Sequence, residues 1–574
     1  MKKKILSIAT IGLLLAGLTS CGEDFLETQS KTEGTTGNYY SSESAADRAL
    51  IGCYDGWQCT VSNGPTFAFH YLSELLSDEC FGGTGNADPR NMQVVDRFDL
   101  SEDNSQVNLH NTLWESYYAA IYLTNQLIQE EGKIAWTSEA THGRIIGEAR
   151  AMRGILYFDL ARVFENVPLL TAPSTENVPQ APVDSVYAQI FSDLRYAAEN
   201  IPADAYPKAQ SATNDGRITC YAAKAMMGRA YLFYTGVYGK NPVFADQTEV
   251  TKDYVLQGLE DIIASGEYDL VPLYKNLWYC ACTNWEQKAG QWEEVSTYAG
   301  EDNIENILTM KFNYTSDYNG NAGGNNSIQM FSLRGGTFKA PYGQGWGGAT
   351  VPQNFYDSYP ADDQRRDASI VDLQGEGIAT MEAFQAKLSD QREYTGYVNK
   401  KYTARSGYHK NETDGTWALT HYYDGLMAGD FQISQPIGYT LMRYADVLLM
   451  AAELGSSNAD AYLSKVHNRA YATEDADGNV VTPRNNLSAT KASIMEERRC
   501  EFAFEGIRYW DLLRQGVEVA ADAIVNSGEK VLNGGNEGTV SYKKENIISK
   551  RGFQQIPQDQ IQLSNGVLKQ NAGW

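Results

Sequence analysis

Histidine is scarce in this 574-residue sequence, which contains six of them. No two histidines stand in the HExxH spacing that places two zinc ligands on one face of a helix. The sequence also lacks a glycine-rich phosphate loop, so nothing in it indicates phosphate-transfer chemistry. We therefore expect no metal site and no cofactor, although a cation among loop carboxylates is left open. The six histidines are His70, His110, His142, His409, His421 and His467.

Cysteine is also sparse, with eight in the whole chain. Seven remain if Cys21 carries lipid, as argued below, and an odd, widely spaced set is not a disulfide scaffold. Cys280 and Cys282 have no histidine nearby and do not match a zinc spacing. The sequence therefore predicts buried free thiols, with one or two adventitious disulfides as the alternative.

Basic residues are outnumbered, with 47 Lys and Arg against 72 Asp and Glu, which gives a formal net charge of −25. Residues 1–20 carry three lysines and no acidic residue, so their removal moves the charge to −28. A chain this acidic is repelled by nucleic acid and by anionic lipid head groups. We expect no nucleic-acid partner.

The first 21 residues, MKKKILSIATIGLLLAGLTSC, have the pattern of an export signal. Three lysines precede an apolar run that is too short for a bilayer, which takes about 20 apolar residues, and no later run approaches that length. Residues 18–21 are typical of a lipobox, so we predict a signal peptide over residues 1–20 and lipidation of Cys21. An ordinary secretory signal is the alternative. Glu23 and Asp24 resemble the acidic signal that sends lipoproteins to the outer face of the outer membrane, where we expect this chain.

Apolar residues recur with a helical period in the first part of the chain and again near its end. Helix pairs joined by short loops are the unit of α-solenoids, so the sequence predicts a mostly α, tetratricopeptide-like helix-pair solenoid. A third helix is expected to be capped by Asp184 or Ser185, and Asn125 to bond a backbone group between helices. The stripes run from Trp114 to Ile128, Ile145 to Val163, Tyr187 to Ile201, Leu441 to Ala452 and Ala459 to Ala470, with a further helix over Thr490 to Gln515.

A long segment between these helices has a different composition. Glycine and asparagine crowd residues 319–348, which is typical of loops and turns. We predict an N-terminal helical region over residues 21–236 and a C-terminal region over 237–574, with a loop-rich insertion at 266–435. Irregular insertions on a rigid scaffold are where binding sites tend to lie.

Four segments, in this order and behind a lipobox, resemble the SusD/RagB family of outer-membrane nutrient-binding lipoproteins. The resemblance covers nearly the whole chain. The tail departs slightly, with Ala572 where the family usually has proline and Trp574 where it often has tyrosine. The segments are GEARAMR at 147–153 with its continuation to Leu169, LMRYADVLLM at 441–450, ERRCEF at 497–502 with its continuation to Arg514, and the tail from Ile556 to Gly573.

The resemblance implies a helical protein that forms an extracellular lid on a TonB-dependent, SusC-like β-barrel transporter. Such a lid binds an oligomer, most often a glycan and sometimes a peptide, and passes it to the barrel without catalysis. Four hypotheses remain open at this point: oligosaccharide capture, which we favour, peptide capture, a surface glycosidase, and a purely structural lid. A peptide-binding cleft is expected to be deep, charged and less aromatic.

The densest charge cluster lies between Glu496 and Arg514. Two carboxylates close together are the pattern of a glycoside hydrolase. On a helix, however, Glu497, Glu501 and Glu505 form one i,i+4 row with arginines beside it, which predicts a salt-bridged packing helix.

Aromatic side chains in and before the glycine-rich loops are the candidate ligand site. Sugar rings present a weakly positive C–H face that suits the negative face of an indole or phenol ring, and amides at the rim suit hydroxyls. A second loop, residues 81–91, matches a region that often borders the ligand cleft in the family. The alternative is that these rings pack beneath the loops. The predicted ligand-binding residues are Trp346, Trp285, Trp278, Trp292, Tyr298, Phe81, Arg90 and Asn91, with Asn86, Asn325, Asn326 and Gln344 as possible hydrogen-bonding partners.

Overall fold

The computed structural model describes residues 40–61, 67–210, 216–313, 324–335, 339–423, 426–428 and 435–574. The predicted signal peptide, Cys21 and the acidic pair after it lie outside these residues. Within them the chain is mainly helical, and no helix is long and apolar enough to cross a bilayer. Each of the seven cysteines in the described part of the chain is a free thiol.

The helices fall into a long N-terminal group, a short group in the middle and a C-terminal group. The first group is α1 Glu43–Gln58, α2 Phe69–Leu75, α3 Asn91–Asp96, α4 Asn111–Glu130, α5 Glu139–Phe164, α6 Val183–Asn200, α7 Cys220–Tyr238 and α8 Lys252–Ser265. The second is α9 Tyr279–Cys282, α10 Ser327–Phe331, α11 Gln353–Ser358, α12 Gln364–Ser369 and α13 Glu382–Gln385. The third is α14 Tyr444–Glu453, α15 Ala459–Ala470, α16 Lys491–Glu501, α17 Arg508–Leu513, α18 Val517–Ser527, α19 Lys544–Ser549 and α20 Gln558–Leu563.

Helices that follow one another in the chain pack side by side. Helix α4 packs on α5, α5 on α6, α6 on α7 and α7 on α8. Helix α8 then packs on α14, and α14 on α15, so the insertion leaves the row after α8 and returns to it at α14. This order confirms the predicted tetratricopeptide-like helix-pair fold.

Close approach of α5 and α6 explains the glycines on one face of α5. A Cβ atom at Gly143 would lie 2.3 Å from the carbonyl oxygen of Asn200, and one at Gly147 would lie 2.5 Å from Cγ1 of Ile201. Because glycine has no side chain, the two helices can pack nearly backbone to backbone. Asn125 fulfils its predicted role, since its Nδ2 donates to the Leu170 carbonyl at 2.9 Å.

Two predicted helix starts are wrong. Helix α6 begins at Val183 with Pro182 at the N-cap position, so Asp184 and Ser185 lie inside its first turn. Leu441 belongs to a strand, because residues 439–443 pair with residues 306–310 before α14 begins at Tyr444. The stripe from Leu441 was helical in spacing, but strand pairing in three dimensions decides the conformation of its first residue.

The predicted helix over residues 490–515 is two helices, α16 and α17. Phe504 and Gly506 between them have φ angles of 63° and 73°. A left-handed backbone cannot continue a right-handed helix, so Glu505 is not on the same helix as Glu501.

The charged residues of this region confirm the structural interpretation of the cluster. Glu501 is fully buried and accepts hydrogen bonds from Arg365 at 3.2 Å, Arg443 at 3.0 Å, and Arg469. Glu505 is also buried and accepts from the Arg443 Nε at 2.8 Å. These carboxylates are occupied inside the core and are closed to a substrate.

The strands are short and form small sheets. They are β1 Phe81–Gly83, β2 Thr283–Lys288, β3 Gln291–Ser296, β4 Asn306–Met310, β5 Leu333–Arg334, β6 Gln344–Gly345, β7 Gly348–Thr350, β8 Ile370–Asp372, β9 Tyr397–Asn399, β10 Ser406–Lys410, β11 Trp417–Tyr423, β12 Leu426–Ala428, β13 Tyr439–Arg443, β14 Thr473–Glu474, β15 Val480–Val481, β16 Lys530–Asn533 and β17 Asn536–Thr539. Strands β10, β11 and β12 form a three-stranded antiparallel sheet, β2 and β3 a hairpin, and β4 pairs with β13. Strand β1 pairs antiparallel with β7, with Phe81 opposite Thr350 and Gly83 opposite Gly348.

Candidate functional site

The β1–β7 pair brings the loop after β1 next to the insertion, and a cleft of about 700 Å³ opens between them. Both loops that the sequence indicated therefore contribute to one site. Trp346 and Gln344 come from the insertion, and Asn91 comes from the loop after β1. The described residues that line the cleft are Thr84, Asp88, Pro89, Asn91, Met92, Met330, Arg334, Gly335, Gln344, Gly345, Trp346, Lys387 and Asp390.

Trp346 is half-buried and is fixed to the cleft wall through its backbone. Its N–H donates to the carbonyl of Gln329 at 2.7 Å, and its carbonyl accepts from Nη1 of Arg334 at 3.1 Å. Gly347 follows with a φ angle of 67°, and a Cβ there would lie 2.7 Å from Cβ of Arg334. The backbone turn that carries Trp346 thus requires glycine at the next position.

Arg392 stabilises the loop after β1 through hydrogen bonds to the backbone of that loop. Its guanidinium donates to the carbonyls of Asn86 and Asp88, both at 2.8 Å, and to Oε1 of Gln93 at 3.1 Å. The loop backbone also contacts the segment around Asp390, since the Asn86 N–H donates to the Asp390 carbonyl at 2.8 Å. These bonds pre-organise the loop, which lowers the entropy lost when a ligand binds.

Under the loop lies a pair of buried carboxyl groups. Oδ2 of Asp96 accepts from the Gly82 N–H at 3.2 Å, and Oε2 of Glu393 accepts from the Gly83 N–H at 2.9 Å. Arg97 forms an ion pair with Glu393. Burial raises the pKa of Asp96 to about 8. Strand β1, which leads into the cleft, is therefore anchored by side chains as well as by β7.

Arg334 links three parts of the cleft wall. Its Nε donates to Oδ2 of Asp390 at 2.9 Å, its Nη1 lies 3.5 Å from Oδ2 of Asp88, and it also binds the Trp346 carbonyl. Lys387 adds a second cation on an exposed side chain. Among the residues that the structure describes, the lining therefore carries two carboxylates and two cations.

Trp285 and Trp292 lie elsewhere, on one face of the β2–β3 hairpin, and do not line this cleft. The Trp292 ring stacks on Tyr408 of β10 with centroids 3.6 Å apart and planes 5° apart. Trp285 meets Tyr422 of β11 edge-on at 5.3 Å. Both rings are half-buried and attach the hairpin to the three-stranded sheet, which is the packing alternative considered for them.

The structure contradicts the predicted exposure of two further rings. Phe81 is fully buried against Val531 and Val540. Trp278 is only 6% exposed, and its ring lies under Nζ of Lys401 at 4.8 Å. Both side chains pack inside apolar clusters, so neither offers a free face to a ligand.

The remaining predicted residues are divided between core, surface and cleft. Tyr298 packs edge-on against Tyr279 at 5.9 Å, outside the cleft lining. Arg90 is exposed, pairs with Glu102 at 3.0 Å and also lies outside the lining. Asn325 is buried and donates to the Ile437 carbonyl, so its amide is used inside the protein. Trp346 and Asn91 do line the cleft, and their contact with a ligand stays a prediction.

Sequence reasoning missed the charged residues of the site. Asp88 stood inside the indicated 81–91 loop, but Arg334, Lys387, Asp390 and Arg392 lie in polar segments without a motif or a period. Only strand pairing brings these segments together. No group of three or more His, Cys, Asp or Glu side chains in the described ranges is arranged to hold a metal ion.

Two family models match this sequence and between them cover most of it. One, described as the SusD family, matches residues 305–574. The other, described as "Starch-binding associating with outer membrane", matches residues 24–232. Both halves of the helical row therefore have counterparts in proteins of one type.

Individual proteins show the same likeness. A SusD-like protein from Bacteroides ovatus is 24% identical over 356 residues, and the alignment spans 58% of each chain. SusD-like protein P2 from Formosa agariphila is 27% identical over 442 residues, which is 73% of this chain and 74% of that one. Among solved structures, surface glycan-binding protein A from Bacteroides thetaiotaomicron, in complex with laminarihexaose, is 22% identical. It superposes with a TM-score of 0.66 over 92% of this chain and 100% of its own. At this identity the superposition shows a shared fold.

Proposed function

Because this chain belongs to the SusD family, we propose that it captures an extracellular oligosaccharide in the Trp346 cleft and does not cleave it. Family membership further supports delivery of the ligand to a SusC-like, TonB-dependent barrel in the outer membrane. The N-terminal sequence supports attachment to that membrane through lipid on Cys21. The glycan named with the structural relative, laminarihexaose, supports the ligand class.

The composition of the cleft carries the ligand proposal. It places one indole beside two amides, those of Gln344 and Asn91, together with apolar side chains from Met92 and Met330. An indole accepts the C–H face of a sugar ring, and amides both donate to and accept from hydroxyl groups. A volume of about 700 Å³ lies within the range of sites that bury small ligands.

The arrangement of carboxylates supports capture without cleavage. Glycoside hydrolysis requires one carboxyl group to protonate the leaving oxygen while another attacks or activates water. Asp88 and Asp390 line the cleft, but both face the same guanidinium of Arg334. The dense carboxylate cluster around Glu501 is sealed in the core.

Isothermal titration against a panel of oligosaccharides tests the proposal. Trp346→Ala is expected to weaken binding of the best ligand about tenfold, which is about 1.4 kcal/mol, and Trp346→Phe to recover part of it. Trp136→Ala is the matched control, since this half-buried tryptophan lies outside the cleft lining and bonds the Glu131 carbonyl. Unchanged affinity in Trp346→Ala, or shortened products after long incubation with ligand, would contradict the proposal.

Anchoring and delivery have separate tests. Cys21→Ala is expected to release the protein from the membrane fraction, and the anchored protein to co-purify with a barrel partner after mild detergent extraction. A Cys21→Ala variant that stays in the membrane fraction would contradict the lipid anchor.

One observation favours a second candidate, capture of a peptide. The described lining of the cleft contains a single aromatic ring and four charged side chains. A charged, less aromatic cleft is what peptide binding predicts. The same titrations with a peptide library decide between the two. Binding to peptides without binding to any glycan would favour the second candidate.

A further inference from the structure

Arg334 is the only arginine in the described lining of the cleft, and all of its nitrogen atoms already face acceptors. Nε and Nη2 face the two carboxylate oxygens of Asp390 at 2.9 and 3.4 Å. Nη1 donates to the Trp346 carbonyl at 3.1 Å and lies 3.5 Å from Asp88. An anionic sugar substituent would have to displace one of these carboxylates before it could bind the guanidinium. Displacement would break a charge-assisted pair and leave the expelled carboxylate beside the incoming anion.

The net charge of the cleft lining and of the whole chain also disfavours the binding of anions. Asp88 and Asp390 offset the charges of Arg334 and Lys387, so the described residues of the lining carry no net charge. The whole chain carries −25, and the field of such a protein repels polyanions at distances up to the screening length. Lys387 is exposed, and an exposed lysine contributes little binding energy because water and salt screen it.

The same groups suit uncharged hydroxyl groups. The side chains of Asp88 and Asp390 are 44% and 42% exposed, so each carboxylate can accept from a ligand while it faces Arg334. A carboxylate that accepts from two adjacent sugar hydroxyls forms charge-assisted hydrogen bonds, which are stronger than neutral ones.

We propose, on the basis of the glycan capture proposed above, that the cleft selects neutral oligosaccharides and that the Asp88–Arg334–Asp390 bridge enforces this selection. Sugars with carboxylate, sulfate or phosphate groups on the bound units are rejected.

The first test compares neutral and anionic probes of similar length. Titrations use malto-, laminari-, cello-, xylo- and mannohexaose as neutral probes, and oligogalacturonate, oligoalginate and a chondroitin sulfate hexasaccharide as anionic ones. At least one neutral probe is expected to bind, and every anionic probe to bind at least about tenfold more weakly. The affinity of the neutral probe is expected to change less than about twofold between about 20 and 500 mM NaCl, because no net charge is neutralised.

If an anionic probe binds most tightly, or if affinity falls steeply with salt, the selection is overturned while glycan capture stands. If no glycan binds, the proposed function fails and takes this inference with it.

The second test replaces one of the two carboxylates that face Arg334 by an uncharged side chain of the same size. Asp390→Asn frees part of Arg334, so binding of the neutral probe is expected to weaken and the preference over the anionic probes to shrink by at least about threefold. Asp522→Asn is the matched control, because Asp522 pairs with Lys544 on the surface outside the cleft lining. Circular dichroism and the thermal midpoint establish that each variant is folded. If a folded Asp390→Asn protein keeps the original preference, the bridge is not the selecting element.

Discussion

Replacement of Glu501 by glutamine tests whether the largest charge cluster of this protein serves structure or chemistry. The buried carboxylate is shared by the guanidiniums of Arg365, Arg443 and Arg469. Glutamine keeps the size of the side chain and removes its charge. It also places an NH₂ group where one of two acceptor oxygens stood, so at least one guanidinium loses its partner.

The size of the effect follows from the balance of forces on this carboxylate. Burial alone would raise the pKa of Glu501, but the neighbouring arginines lower it from its ordinary value of 4.5 to about 2. Each unit corresponds to about 1.36 kcal/mol, so the site favours the ionised carboxylate over a neutral group by about 3 kcal/mol. Loss of one partner of a buried ion pair typically costs about 3–5 kcal/mol, so Glu501→Gln is expected to lower the free energy of unfolding by about this amount.

Urea unfolding followed by circular dichroism measures the loss. The matched control is Glu496→Gln, because Glu496 is an exposed glutamate on the same helix, α16. The unfolding free energy of this variant is expected to stay within about 0.5 kcal/mol of the original. Glycan affinity of folded Glu501→Gln protein at low temperature is expected to be unchanged. Equal stability of the two variants would refute the structural assignment, and loss of ligand binding or of a glycan-cleaving activity in a stable Glu501→Gln protein would replace it with a functional one.

Three further predictions follow from other contacts. Burial alone would raise the pKa of Asp78, but Arg508 lowers it to about 2. Asp78 and Glu501 are therefore expected to stabilise the fold above about pH 4 and to lose that contribution as the pH falls towards 2. Acid titration of the circular dichroism signal measures this loss. Gly407→Ala places a Cβ 2.3 Å from Cζ2 of Trp285, so tryptophan emission is expected to change and stability to fall by about 1–3 kcal/mol, with glycan affinity unchanged. Arg334→Lys loses the two-point contact with Asp390 and is expected to weaken glycan binding in titrations, whereas equal affinity would show that the cleft wall does not need this contact.

The helical part of the fold could be predicted from sequence because its signal is local and repeated. The stripe from Ile145 to Val163 lies within α5, and the stripe from Trp114 to Ile128 lies within α4. The failure at Leu441 occurs where a distant segment decides the conformation. Leu441 is held in a strand by residues 306–310, and no periodicity near Leu441 contains that information.

The aromatic residues show a second limit of sequence reasoning. Composition singled out aromatic side chains, but it could not tell a ring that lines a cleft from a ring that stacks on another ring. Trp292 stacks on Tyr408, which is more than a hundred residues away in the chain, and the stacked pair attaches a hairpin to a sheet. Trp346 occupies the cleft wall because its backbone is bonded to Gln329 and Arg334.

The polar residues around the cleft explain why a loop-built site can be stable in shape. Loops lack the repeated backbone bonds of helices and sheets, so their carbonyls need other partners. Here Arg392 binds carbonyls of Asn86 and Asp88, and Arg334 binds that of Trp346. Two guanidiniums therefore supply the hydrogen-bond donors to these loop carbonyls that a neighbouring strand supplies in a sheet. The hydrogen bonds of Arg392 and Arg334 thus hold the loop backbones in place and leave the exposed side chains of Asp88 and Asp390 at the cleft surface.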